Sequence, residues 1–179
     1  MALVTTVAPA EAEGIVKEGY EMFMKNVGAI PQPMQLMSIS PALFELQLKR
    51  IRYFGKHPKL SFALLAHIRY LAARTLEYGY CTDLNRHFLK KLGNDDDTIR
   101  AMEADPSKSM LEENEGAMLD FVIRSMQKPA SITAADIAKL KGLGWEERDM
   151  VDALSQGVSM IDHAIMMQVF QIDQNCMLG

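Results

Sequence analysis

A cysteine near the middle of the chain is the residue best suited to covalent chemistry. Cys81 ends the segment 77–81 (EYGYC) and lies within a long stretch of helical pattern. If the helix runs through Gly79 without a break, at about 100° per residue, five polar side chains fall within about 40° of one line along its surface. These side chains are His67, Arg74, Tyr78, Cys81 and Asn85. A cation and hydrogen-bonding groups around a thiol favour the thiolate, so this pattern predicts an activated cysteine.

A broken helix would lead to the same chemistry by another route. If Gly79 ends one helix, Cys81 falls in the first turn of the next, where the helix dipole favours an anion. Glu77 lies four residues before Cys81 and is its neighbour if the helix is continuous. The competing interpretation is structural, because most cysteines outside disulfides are small buried hydrophobic residues.

The other residues that could do chemistry favour structural interpretations. His163 lies in a methionine-rich helix, which indicates a core or interface histidine rather than a catalyst. Residues 95–97 are three aspartates without the glycine and terminal glutamate of a calcium loop, so they are predicted to form a helix N-terminus. Cys176, close to the end of the chain, is a candidate resolving thiol for Cys81.

Composition and charge restrict the classes of partner. The 179 residues carry a formal net charge of −4 and no basic stretch, which predicts that the chain does not bind nucleic acid. Its apolar runs are too short for a membrane-spanning helix, and no signal peptide is recognisable. Phosphate-loop, nucleophile-elbow and zinc motifs are absent from the sequence. We therefore expect a cytoplasmic protein that needs no cofactor and no metal.

Apolar residues recur at helical spacing along almost the whole chain, and no long segment alternates with period two. The pattern predicts an all-α fold, a single-domain helical bundle over residues 1–179 with about seven helices. Two of the predicted helices contain a break signal, Ser40-Pro41 in one and Gly79 in the other. The predicted helices occupy about 11–26, 34–54, 61–92, 95–103, 110–127, 133–141 and 146–170.

The order of several short motifs resembles a known family. Leu60-Ser61 begins a helix, and the segment 78–85 (YGYCTDLN) follows it. Here the chain resembles the carboxymuconolactone decarboxylase and alkylhydroperoxidase D family, in which a Leu-Ser helix start and a glutamate precede Cys-x-x-Cys-x-x-x-His. The resemblance extends to the uncharacterised, peroxidase-related members and covers about residues 40–172. The later matching segments are 119–121 (LDF), 128–133 (KPASIT), Asp136, Leu140, Gly144-Trp145 and Ala153-Leu154.

The resemblance carries over one of the family's four catalytic residues. Cys81 takes the place of the second cysteine, Tyr78 that of the first, and Asn85 that of the histidine. The family's glutamate falls near Ala66-His67, where no carboxylate stands. In the family, a carboxylate–histidine relay deprotonates a cysteine that attacks peroxide, and the partner cysteine closes a disulfide. This chain lacks the local partner, so a cycle on Cys81 needs an external thiol or Cys176.

The resemblance implies a thiol-dependent, antioxidant hydroperoxidase with a one-cysteine site. In this hypothesis Cys81 is the nucleophile, and Tyr78 stands where the partner cysteine would be. Glu77 and His67 are the candidates for proton transfer, and Asn85 is the candidate for hydrogen bonding.

Two alternatives stay open. The first is a decarboxylase or isomerase of a small carboxylated lactone, with Arg74 binding the carboxylate. The second is a non-catalytic binding module that keeps the fold. In all three cases the resemblance implies a homo-oligomer, a trimer or a hexamer.

Overall fold

The computed structural model describes residues 2–172, and every regular element among them is a helix. The predicted all-α class is confirmed. Three short 3-10 helices, at Pro9–Glu11, Pro106–Lys108 and Pro129–Ser131, accompany the α-helices. The α-helices of the described residues are α1 (Gly14–Val27), α2 (Gln32–Met37), α3 (Pro41–Gly55), α4 (Phe62–Thr75), α5 (Gly79–Lys91), α6 (Asp96–Ala104), α7 (Glu113–Gln127), α8 (Ala134–Gly142) and α9 (Glu147–Val169).

The described residues contain nine α-helices instead of about seven because the two predicted helices with a break signal are each divided in two. Pro41 is the first residue of α3, and it cannot donate a backbone hydrogen bond to continue α2. It also biases the preceding residue away from the helical region, and Ser40 has an extended backbone with ψ 93°. The second break separates α4 from α5 just before Gly79.

Side-chain caps begin several helices where the sequence predicts them. The Ser61 hydroxyl accepts a hydrogen bond from the Leu64 N–H of α4, at 3.0 Å. The Asp95 carboxylate accepts from the Thr98 N–H at 2.8 Å, which confirms that the aspartate run is a helix N-terminus. Thr133 and Asp136 form the predicted capping box of α8. The neighbouring Arg124 guanidinium, 2.6 Å from Asp136, holds the pKa of that carboxyl far below its usual range.

The described residues divide into two compact units, and the single domain stays a prediction. One unit consists of residues 2–57 and 165–172, and the other is Pro58–Ala164. In the first unit, α3 packs against α1 and α2. Gly19 of α1 lies directly against Phe44 and Leu48 of α3, so the two backbones approach closely. The buried core of this unit is formed by Ala12, Val16, Tyr20, Phe23, Met34, Met37, Phe44 and Leu48.

The second unit is built around α4, which packs against α5 and α7. An α-helix that is apolar on nearly all sides is a buried helix, and α4 fits this description. Only a few of its side chains are polar, among them His67 and Arg69. The buried residues of α4 are Leu64, Leu65, Ala66, His67, Ile68, Tyr70, Leu71, Ala72 and Ala73.

A buried carboxylate fixes the start of α9. Asp149 is fully buried, and its Oδ2 atom accepts a hydrogen bond from the Glu146 N–H at 2.9 Å. The Lys59 ammonium lies 3.3 Å from the same oxygen and 2.7 Å from the Glu146 carboxylate. This ion pair connects the residues before α4 to the N-terminus of α9 within the second unit.

Two predictions concern the surroundings of the protein: that it has no membrane-spanning helix and that it forms a homo-oligomer. No helix within residues 2–172 combines the length and the apolar character that crossing a bilayer requires. Val151 and Val158 lie seven residues apart on α9, and both are exposed. The homo-oligomer stays a prediction.

Gly157 marks a close approach of α9 to α7 in the second unit. A Cβ atom at this position would lie 2.8 Å from both Val122 Cγ1 and Met126 Sδ of α7. Such distances are too short for carbon contacts, so α9 can approach α7 this closely only with glycine at position 157. Gly116 of α7 is a useful contrast, because a Cβ there would meet no atom within 4 Å.

We expect opposite effects of alanine at these two helical glycines. Gly157→Ala should lower the free energy of unfolding by about 1–3 kcal/mol, because the added methyl group forces α7 and α9 apart. Gly116→Ala should raise it by up to about 1 kcal/mol, because alanine is the better helix former. Urea unfolding followed by circular dichroism measures both. A Gly157→Ala variant as stable as Gly116→Ala would contradict this account of the packing.

Candidate functional site

The turn between α4 and α5 positions the candidate nucleophile. Glu77 adopts a left-handed backbone with φ 53°, immediately after the last residues of α4. The Tyr78 N–H donates to the Ala73 carbonyl at 2.9 Å, and the Glu77 N–H donates to the Arg74 carbonyl at 3.2 Å. These two bonds form a Schellman motif, which ends α4. The helix is therefore broken, and Cys81 is the third residue of α5.

Cys81 is buried beside two polar side chains. Its relative exposure is 6%, and it lies in the first turn of α5, where the helix dipole favours a negative charge. Tyr78, the N-cap residue of α5, places its hydroxyl group next to the sulfur. A negative charge on Cys81 would be attracted by the guanidinium of Arg69 on α4. The site thus joins a thiol, a phenol and a cation.

Arg69 is held in place from two directions. Its Nε atom donates a hydrogen bond to Asn85 Oδ1 at 2.9 Å, and its guanidinium lies 5.7 Å from the centre of the Phe62 ring. Asn85, almost fully buried, in turn donates from Nδ2 to the Cys81 carbonyl at 2.8 Å. Asn85 therefore links the cation on α4 to the backbone of the turn that carries the cysteine.

The electrostatic state of Arg69 is unusual for a protein arginine. The residue is partly exposed, but enough protein surrounds it to lower the pKa of its guanidinium to about 10, while the charge of Cys81 acts in the opposite direction. It therefore remains a cation at neutral pH. Within residues 2–172 no carboxylate pairs with it. A largely buried cation without a carboxylate partner is a ready anion-binding group.

Tyr78 is a candidate hydrogen-bond donor in this site. It is fully buried, and its hydroxyl lies next to the Cys81 sulfur without a hydrogen bond of ordinary geometry. Burial, together with the neighbouring Cys81, raises the pKa of Tyr78 far above its usual value. The phenol therefore stays protonated and is available to donate to an atom bound next to the sulfur.

Several solved structures of other proteins have the same fold as this chain. Comparisons of the sequence with protein-family models and with curated proteins find no match. Among solved structures, an uncharacterized peroxidase-related protein from Ralstonia eutropha JMP134, described as an alkylhydroperoxidase AhpD core, superposes with a TM-score of 0.81 at 14% identity. The match covers 97% of this chain and 92% of that one. The fold is that of the alkylhydroperoxidase D core.

Two further structures share this alkylhydroperoxidase D fold. An uncharacterized peroxidase-related protein from Silicibacter sp. TM1040 gives a TM-score of 0.79 at 15% identity, over 97% of this chain and 92% of its own. The debrominase Bmp8, in a complex with 2,3,4-tribromopyrrole, gives a TM-score of 0.74 at 13% identity. The match covers 98% of this chain and 94% of Bmp8. The fold implied by the sequence resemblance is therefore confirmed.

His67 lies on a different face of α4 from Arg69, because positions two apart in a helix are rotated by about 200° about its axis. Its Nδ1 atom lies 2.8 Å from the Ala63 carbonyl, so Nδ1 carries the proton of the neutral ring. Its other polar neighbours are Asn94 and Glu115. Burial lowers the pKa of His67, in opposition to these neighbours. The structure therefore brings His67 together with Asn94 and Glu115, whereas Cys81 has Tyr78 and Arg69 beside it.

The other predicted site residues are on the surface of the second unit or away from the cysteine. Glu77 and Arg74 are both exposed, and Arg74 Nε pairs with the Glu103 carboxylate at 3.3 Å. The closeness of Glu77 to Cys81 depended on a continuous helix, which the Schellman motif excludes. His163 is buried, as its structural interpretation predicts. Cys176 lies outside the described residues.

Sequence reasoning missed Arg69, although it identified Cys81, Tyr78 and Asn85. On a continuous helix Arg69 lies on the opposite side from the other candidates. The assumption of a continuous helix therefore excluded it from the predicted site. The signal that could have found it is a cation in the middle of an apolar helix. Within residues 2–172, no group of three or more His, Cys, Asp or Glu side chains is arranged to hold a metal ion.

We expect His67 to make stability sensitive to acid. Because its pKa is lowered in the folded state, the unfolded chain binds the proton more readily. Its contribution to stability is therefore complete above the unfolded value of about 6.5 and is lost as the pH falls below it. In urea unfolding at pH 7.5 and pH 5, His67→Gln should lose less stability on acidification than the wild type.

His87→Gln is the matched control, because His87 is a partly exposed histidine on α5. It should keep the wild-type dependence on pH. If His67→Gln lost as much stability on acidification as the wild type, the buried imidazole would not contribute to the pH dependence of stability.

Proposed function

We propose that this chain is a thiol peroxidase that reduces hydroperoxides through Cys81 and regenerates the thiol with an external reductant. The observation that supports this most is the Arg69 guanidinium, largely buried and without a carboxylate partner among the described residues, beside a cysteine in the first turn of a helix. A thiolate is the anion that such a site stabilises.

An unpaired charge that is largely surrounded by protein costs free energy. A cation removed from water loses hydration, and an anion within a few ångströms restores part of that free energy. Cys81 is the group in this site that can become an anion, since Tyr78 stays protonated. The helix dipole of α5 acts in the same direction as Arg69. Ionisation of Cys81 therefore compensates the cation that Asn85 and Phe62 hold in place.

The oxidation step follows from this arrangement. The Cys81 thiolate attacks the terminal oxygen of a hydroperoxide, a sulfur–oxygen bond forms, and the oxygen–oxygen bond breaks. Cysteine becomes sulfenic acid, and the substrate leaves as an alcohol after taking up one proton. The Tyr78 hydroxyl is suited to donate a hydrogen bond to the departing oxygen, because it lies next to the sulfur and stays protonated.

Regeneration requires a thiol from outside the site. Tyr78 occupies the position of the partner cysteine, so the sulfenic acid has no neighbouring thiol there. An external thiol displaces water from the sulfenic acid and forms a mixed disulfide. A second thiol attacks that disulfide, releases the oxidised reductant and restores Cys81. One hydroperoxide and two thiols are thereby converted into an alcohol, water and a disulfide.

Substitution of each cysteine tests the role of Cys81. We expect Cys81→Ser to reduce the consumption of cumene hydroperoxide, in the presence of 2-mercaptoethanol, by at least about 100-fold, because a neutral hydroxyl is a far weaker nucleophile than a thiolate. Cys176→Ser is the matched control and should retain most of the rate. Consumption of the hydroperoxide by Cys81→Ser at the wild-type rate would reject the peroxidase and leave the lactone decarboxylase or the binding module.

Substitution of Arg69 tests the electrostatic argument independently of turnover. We expect iodoacetamide to label Cys81 at pH 7 about tenfold more slowly in Arg69→Met than in the wild type, because loss of an adjacent cation disfavours the thiolate. Arg69→Lys keeps the positive charge, so its labelling rate should lie between those of Arg69→Met and the wild type. Mass spectrometry of the labelled protein gives the rates.

Arg86→Gln is the matched control for this experiment. Arg86 lies on the same helix as Cys81, but its guanidinium pairs with Asp96 at 2.6 Å. Its removal should leave the labelling rate unchanged. Equal labelling of Arg69→Met and the wild type would show that the guanidinium does not stabilise the thiolate.

A further inference from the structure

The guanidinium of Arg69 has hydrogen-bonding capacity that the described residues do not use. Of its five N–H donors, only the one on Nε is bonded within residues 2–172, to Asn85. Among the described residues, no acceptor satisfies the four N–H groups on the two terminal nitrogens. Two of these groups, one on each terminal nitrogen, form the edge of the guanidinium that can bind a carboxylate through two parallel hydrogen bonds.

The charge next to Arg69 changes during the proposed reaction cycle. Before oxidation, the Cys81 thiolate compensates the guanidinium. After oxidation, the sulfenic acid is neutral, so the cation loses its anion at the point where the reductant must bind. A carboxylate on the incoming molecule would replace that anion.

We propose that the oxidised site selects a small thiol that carries a carboxylate as its reductant, and that Arg69 binds this carboxylate. This inference rests on the proposed function, since it concerns the second half of the same cycle. Arg69 acts here as a binding residue for the reductant, while Asn85 positions the guanidinium through its Nε atom.

The surroundings of Arg69 suit a small organic anion. Phe62 lies against the guanidinium and is 53% exposed, so the cation is next to a surface that solutes can reach. The Phe62 ring packs edge-on against Phe88, with centroids 5.2 Å apart, which gives an apolar wall for the carbon chain of the thiol. The acidic residues closest along the sequence, Glu77 and Asp83, are exposed, so solvent screens their charges.

The chemical step balances with the thiol as the only reductant. The carboxylate binds Arg69, and the sulfur of the same molecule attacks the Cys81 sulfur. A sulfur–sulfur bond forms, the sulfur–oxygen bond of the sulfenic acid breaks, and hydroxide leaves as water after taking up a proton. Attack by a second thiol on the mixed disulfide then returns two electrons to Cys81.

A rapid-mixing experiment isolates this step from the oxidation. The protein is converted to the sulfenic acid with one equivalent of cumene hydroperoxide and then mixed with 3-mercaptopropionate, 2-mercaptoethanol or cysteamine, at equal thiolate concentrations. Mass spectrometry follows the mixed disulfide. We expect the anionic thiol to react at least about tenfold faster than the cationic one, and added salt to reduce this ratio.

Variants assign the preference to Arg69. In Arg69→Met the rate with the anionic thiol should be within about threefold of the rate with the cationic thiol. Arg69→Lys should keep part of the preference for the anionic thiol. Arg86→Gln should keep the wild-type ratio. The same ratio in Arg69→Met and the wild type, or equal rates of all three thiols with the wild type, would overturn the inference.

Trapping with dimedone separates this inference from the function on which it rests. If the sulfenic acid forms on Cys81 but reacts equally fast with anionic and cationic thiols, the result supports the proposed peroxidase and contradicts the proposed reductant. If no sulfenic acid forms, both are wrong.

Discussion

The turn at Glu77 is the constraint on which the candidate site depends. It ends α4 with a left-handed residue and a Schellman motif, so that α5 begins within four residues and packs along α4. Two consequences follow from this geometry. Cys81 comes to lie in the first turn of a helix, and residues of α5 face residues of α4 that are more than ten positions earlier in the chain. Arg69, Cys81 and Asn85 meet only because the helix is broken here.

Asn85 connects the parts of the candidate site through an amide, which does not ionise. The sequence resemblance assigns this position to a histidine, which would accept a proton from the cysteine. An amide cannot take up a proton at neutral pH, but it can accept one hydrogen bond and donate another at the same time. Asn85 does both, from Arg69 and to the Cys81 carbonyl. Electrostatic stabilisation of the thiolate by a fixed cation thus becomes the alternative to removal of its proton by a base.

The helices could be predicted largely from local signals, because caps and breaks act over a few residues. Ser61, Asp95 and Thr133 begin helices where their sequences indicate, and Pro41 ends one. The periodicity of apolar residues, however, says only that each helix has a buried face, and not which helix covers it. The partnership of Arg69 with Asn85 depends on how α4 and α5 pack side by side, sixteen residues apart in sequence. For the same reason, the neighbours of His67 could not be predicted from a continuous helix.

The sequence resemblance assigns the position of Tyr78 to a cysteine, and this difference matters for the proposed cycle. A site with two cysteines carries its own resolving thiol, so no external thiol has to attack its sulfenic acid. With Tyr78 in that place, the sulfur has a buried phenol beside it that cannot be oxidised to a disulfide and cannot ionise. Among the described residues of the site, the cation on α4 is the group that can attract an anionic molecule from solution. In the proposed cycle the same guanidinium stabilises the thiolate in the reduced state and provides the anion-binding group in the oxidised state.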